Sequence, residues 1–73
     1  MGPGMDELKK FCAEKKVSYE ALAKAAGVDL STFYRKMNKG RGAFTIGEVQ
    51  GMVEGGAMPR ENAIIIFLPH NSH

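Results

Sequence analysis

The chain has 73 residues, 44% of them apolar, a single cysteine and a formal net charge of +2. That length accommodates one hydrophobic core, and a small one. The lone Cys12 excludes an intrachain disulfide and fits reducing, cytoplasmic surroundings, and no apolar run approaches the roughly 20 residues that span a bilayer.

Residues 1–5, MGPGM, read as a disordered N-terminal segment or cloning remnant, with no signal-peptide pattern. A first helix is expected over Asp6–Lys15, with Asp6 as its cap and Leu8, Phe11 and Cys12 facing inward. Cys12 reads as a small packing residue. Ser18 is placed to cap a second helix over Tyr19–Ala26, whose inner face would carry Leu22, Ala25 and Ala26. Ala23 allows a close helix crossing, and Gly27 sits where the chain leaving a helix needs φ > 0. Val28 would tuck under the turn, and Asp29 caps a third helix over about Leu30–Met37. Phe33 and Met37, four apart, give that helix its buried side.

The following stretch Asn38–Phe44, NKGRGAF, reads as an exposed, turn-like loop. Thr45 and Glu48 make a T-x-x-E capping box that opens a fourth helix, with Ile46, Val49, Met52 and Val53 as its inner face. Gly47 and Gly51 should each weaken it by about 1 kcal/mol relative to alanine. Gly55 and Gly56 end it. Pro59 suits the first position of a fifth helix. The run Ile64–Leu68 fits either that helix, buried on several sides, or a β-strand. It carries more apolar surface than a small monomer easily hides. Ile64, Ile65, Phe67 and Leu68 are therefore expected at a dimer contact, with a terminal helix capping its own core as the alternative. Pro69 stops the element, and residues 69–73 read as a flexible tail.

The two helices within Ser18–Asn38, joined by a glycine turn, have the layout of a helix-turn-helix, which places one helix in the DNA major groove. From Leu30 to Gly47 the chain carries Arg35, Lys36, Lys39 and Arg41 and no acidic residue. Such a basic segment is a candidate phosphate footprint. Leu22–Ala23, Gly27–Val28 and Ser31–Asn38 (STFYRKMN) resemble the phage Cro and repressor helix-turn-helix family, also called the Xre type. The phrase FTIGEV at Phe44–Val49 and the apolar Ile64–Leu68 resemble small phage-borne regulators of that kind. Two positions depart from the family pattern. Tyr19 stands where a backbone-contacting Gln is usual, and Lys36 stands where an apolar residue is frequent.

The resemblance implies an all-α fold, a four- to five-helix bundle of the lambda-repressor-like DNA-binding type spanning residues 6–68. It implies a phage or prophage transcriptional regulator, acting on double-stranded DNA in the bacterial cytoplasm and expected to be a homodimer. On recognition-helix geometry Leu30, Ser31, Tyr34 and Arg35 face the base edges. Arg35 suits bidentate contact with guanine, and Leu30 and Tyr34 suit thymine methyls. Packing is the alternative for both: Leu30 against the second helix, and Tyr34 against the loop. Ser18, Tyr19, Lys36, Asn38, Lys39 and Arg41 would contact phosphates, which position without reading sequence.

Other chemistry has little footing. His70 and His73 lack spaced metal-ligating partners, no catalytic constellation is legible, and no cofactor, small-molecule substrate or membrane partner is expected. An antitoxin-like protein, or a protein-interaction module built on the same helices, remains the alternative function.

Overall fold

The computed structural model describes residues 5–67. They form α1 (Asp6–Lys15), α2 (Tyr19–Ala26), α3 (Leu30–Lys39), a 3-10 turn (Arg41–Ala43), α4 (Ile46–Glu54) and α5 (Arg60–Phe67), with no strand among them. The run at Ile64 is thus helical through Phe67, while Leu68, the Met1–Gly4 segment and the tail from Pro69 lie outside the described residues.

Local chemistry explains most of the boundaries. The Ser18 hydroxyl accepts the Ala21 N–H at 3.0 Å and opens α2. The helix closes on Gly27 at φ 85°, where Val28 N–H donates to Ala23 O at 3.0 Å and Gly27 N–H to Lys24 O at 3.1 Å. This pair of bonds is a Schellman closure; it satisfies carbonyls the helix end would leave open, and Val28 packs onto the core beside it. α4 opens on the capping box: Glu48 N–H donates to Thr45 Oγ1 at 3.1 Å and Thr45 N–H to Glu48 Oε1 at 3.0 Å.

Several expectations are corrected. Met5, not Asp6, is the N-cap of α1; it caps with backbone only and is itself buried in the core. Lys16 ends α1 in the left-handed region at φ 58°, the only described non-glycine residue there. α3 runs two residues further than expected, and Pro59 immediately precedes α5 rather than opening it. The Asn38–Phe44 stretch is not a solvated loop, because Phe44 is buried. Ile46 is not part of the inner face of α4: it is 81% exposed.

The core is entirely apolar, with no buried polar or charged residue among those described. Phe33, Leu8, Leu22, Met52 and Met58 are its fully enclosed large side chains. An aromatic series crosses the molecule: Tyr34 meets Tyr19 at 5.7 Å between ring centroids, Tyr19 meets Phe33 at 6.2 Å, Phe33 meets Phe44 at 5.4 Å and Phe44 meets Phe67 at 5.1 Å. Edge-on and tilted pairs at these separations add to what burial alone contributes. The most extensive helix–helix contact is that of α2 with α4. It is close enough that a side-chain methyl at Gly51 would fall on the Ala25 carbonyl oxygen.

Candidate nucleic-acid interface

α3 is anchored by Phe33, fully buried, and by Met37 one turn later. At 3.6 residues per turn this fixes which side chains point away from the core. Ser31, Arg35, Asn38 and Lys39 lie on the outer side and are exposed. Tyr34 borders that face at 46% exposure, and Leu30 borders it half-buried, packed against the core cluster. Ser18 is exposed at the start of α2, its oxygen engaged as the cap.

Tyr19 is half-buried between the helices, its ring set against Phe33 and edge-on to Tyr34. Burial, with smaller contributions from Cys12 and Tyr34, raises its phenol above the ordinary pKa. Its ring therefore braces α3. Burial likewise pushes the Cys12 thiol up, which disfavours the reactive thiolate.

The basic side chains are not equivalent. Lys36 turns back to the body of the molecule. Its ammonium donates to Ala43 O at 3.0 Å and pairs with Glu48 Oε1 at 3.3 Å. Because Glu48 Oε1 also accepts the Thr45 N–H, its carboxylate joins α3 to the start of α4, and the Lys36 ammonium adds the 3-10 turn. Arg35 remains on the outer face, where its Nη2 donates to Thr32 Oγ1 at 3.3 Å. Lys39 is exposed and Arg41 half-buried.

Thr32 has no role in the sequence analysis, and Glu48 has one only as half of the capping box. The spacing of Thr32 and Arg35, one turn apart on α3, is a signal that was available. The Lys36–Glu48 pair had none, since it depends on how the intervening turn folds back.

At the head of α3, Asp29 occupies the N-cap position without a side-chain cap bond, and its carboxylate accepts the Ser31 hydroxyl at 3.4 Å. The neighbouring Thr32 hydroxyl, foremost, and the Ser31 hydroxyl hold the Asp29 carboxyl below its ordinary pKa. Asp29 is thus the acidic neighbour of an otherwise basic and neutral helix face.

The exposed side of α3 offers guanidinium, ammonium, hydroxyl and amide groups with no carboxylate between Leu30 and Gly47. Donors in this arrangement suit a polyanion whose edges also carry acceptors. Among the described residues no group of three or more His, Cys, Asp or Glu side chains is placed to hold a metal ion. No described helix is long and apolar enough to cross a membrane. No protein-family model, curated protein or solved structure matches the chain.

Proposed function

We propose that this chain is a sequence-specific DNA-binding transcriptional regulator of phage or prophage type, Cro- or repressor-like, that lays α3 in the major groove of an operator. The observation that carries the reading is the division of α3. One side is locked into an apolar core by Phe33 and Met37, and the other presents Ser31, Arg35, Asn38 and Lys39 to solvent. A short helix held this way, preceded by a capped helix and a tight turn, meets the geometric need of major-groove readout.

In this reading Arg35 contacts guanine O6 and N7, Ser31 bonds a base or a phosphate, and Tyr34 and Leu30 border thymine methyls. Ser18, Asn38, Lys39 and Arg41 hold phosphates on either side. Lys36 and Tyr19 serve instead to fix α3, as their internal contacts support. Two copies would read half-sites about 34 Å apart on double-stranded DNA. Regulation would follow from occupancy of the operator in the bacterial cytoplasm.

Selection of bound sites from a random duplex library at near-physiological salt tests the reading. Enrichment of a palindrome with half-sites one helical turn apart is expected. Binding without enrichment, or no binding by a folded sample, would refute it.

A further inference from the structure

α4 and α5 enclose an apolar groove of about 310 Å³, floored by Phe44, Val49, Val53, Ala63 and Phe67. Phe67, expected at a contact between chains, turns inward onto Phe44 and supplies floor instead of surface. Ile46 and Ile64, both exposed, form its banks. This volume lies at the small end of the range taken by small-molecule sites, which combine an apolar lining with a few polar groups.

The charged groups stand at the two ends. The ring contact between Phe44 and Phe67 brings the start of α4 beside the end of α5. Glu54, the last residue of α4, and Arg60, the first of α5, line the opposite end, where the two signs offset each other. Gln50 adds a neutral amide to the lining. Arg41 and Thr45 line the Phe44 end. About 12 Å of α4 separates that end from Glu54, beyond the reach of an ion pair. Glu48, the carboxylate in the first turn of α4, is already engaged by the Lys36 ammonium and the Thr45 N–H. Arg41 is thus half-buried, without a carboxylate partner among the described residues, and lines the same cavity as two aromatic rings. The groove carries an unmatched positive charge at one end and apolar surface along its length.

We propose that the α4–α5 groove binds a small monocarboxylic acid with an aromatic or branched apolar body. Its carboxylate pairs with the Arg41 guanidinium, whose parallel N–H groups match two carboxylate oxygens. The Thr45 hydroxyl, which accepts the Glu48 N–H, keeps its own hydrogen for the same carboxylate. The apolar body lies on Phe44, Val53 and Phe67. Arg41 is also placed on a DNA phosphate in the operator reading, so an acid held here competes with DNA for that guanidinium. This consequence rests on the operator reading; the site itself does not.

Titration of the full chain with 3-phenylpropionate, without DNA, followed by NMR, decides it. The methyl resonances of Val49, Val53 and Ala63 are expected to shift and saturate below about 5 mM. The uncharged 3-phenylpropan-1-ol should bind about 10-fold more weakly, a comparison that needs no variant. Arg41→Gln should erase the preference for the acid, and Arg60→Gln should leave it. Saturating acid should lower the slope of log K against log salt for duplex binding by about one. Absence of a saturable shift at the groove overturns the proposal, as does equal binding of acid and alcohol. So does a preference that survives Arg41→Gln. Shifts of the same methyls on dilution of the protein alone would give the groove to a second copy and overturn it likewise. A duplex affinity unmoved by saturating acid would refute the competition. Failure to select any DNA site would refute the operator reading while the titration still decides the site.

Discussion

Replacing Gly51 by alanine is expected to destabilise the domain, although helix propensity alone argues for the opposite. In an exposed helix interior the exchange stabilises by about 1 kcal/mol. Gly51 is not in such a place. A Cβ built there overlaps the Ala25 carbonyl oxygen and comes within 3.4 Å of its carbonyl carbon and 3.5 Å of Ala26 Cα. These are backbone atoms of α2, so no rotamer change relieves the overlap. Either α2 or α4 must retreat, opening the contact around Leu22 and Met52, both fully buried. Overpacking of this kind costs about 1–3 kcal/mol, which exceeds or offsets the propensity gain. A net loss of about 1 kcal/mol, or a fall of roughly 4–8 °C in Tm for a domain of this size, is the expected result. Gly47 provides the internal control. It lies in the same helix, and a Cβ there meets only Thr45 Oγ1, at 4.0 Å. Gly47→Ala should stabilise by about 0.5 kcal/mol. Thermal and urea unfolding followed by circular dichroism would measure both. A Gly51→Ala protein as stable as Gly47→Ala would refute the close approach of α2 and α4.

Four further outcomes are expected. Phe33→Ala should cost about 3–5 kcal/mol and leave little folded protein, because it removes the fully buried anchor of α3; urea unfolding reads this directly. Arg35→Ala should lower affinity for the selected site by about 1–3 kcal/mol while leaving random DNA nearly unaffected, as measured by titration of both duplexes; equal losses would make Arg35 a phosphate ligand. Lys39→Gln should reduce the slope of log K against log salt by about one, whereas Lys36→Gln should leave the slope and lower the melting temperature, since Lys36 is tied to Ala43 and Glu48. Asp29, whose carboxyl is held low chiefly by the Thr32 hydroxyl, stabilises the fold above the ordinary aspartate pKa, and that contribution disappears as pH falls through the lowered folded value. Melting temperatures measured downward from about pH 6 should therefore decline less in Asp29→Asn than in the parent protein.

The elements themselves were legible where local chemistry decides them. Ser18, Gly27 and Thr45 mark ends by bonds within a few residues, and those bonds are present. The inner face of α4 was legible in part: Met52 is buried and Val49 and Val53 pack against the core, but Ile46 stands in water, for a physical reason. Hydrophobic periodicity weighs side chains, and Gly51, where α4 comes nearest to α2, has none. Gly51, and the C-cap Gly55 one turn later, approach Ala25, so the closest part of this contact is invisible to an apolar pattern. Ile46, in helical register with Val49 and Val53, is then read as inward although it is exposed. Phe44 was missed similarly. It follows two glycines with no periodic neighbour, and its burial depends on Phe33 and Phe67, elements distant in the chain. On α3 the alternation of anchored and outward residues was readable. The fate of Lys36 was not, because a lysine beside an arginine on a polar helix gives no indication that a carboxylate beyond the next turn will capture it.

These missed features bear on how α3 is presented. Contact with base edges rewards a helix whose position is settled before binding, because ordering then costs little at the moment of association. α3 is held at both ends by groups that do not themselves face outward. Near its start the Tyr19 ring lies against Phe33 and Tyr34. Near its end Lys36 bonds the 3-10 turn and the Glu48 carboxylate that caps α4. Phe33 then continues through Phe44 to Phe67 of α5. The proposed reading face thus stands on one continuous set of rings that reaches from α2 to α5, so that α3 cannot shift without disturbing contacts on both sides of the core.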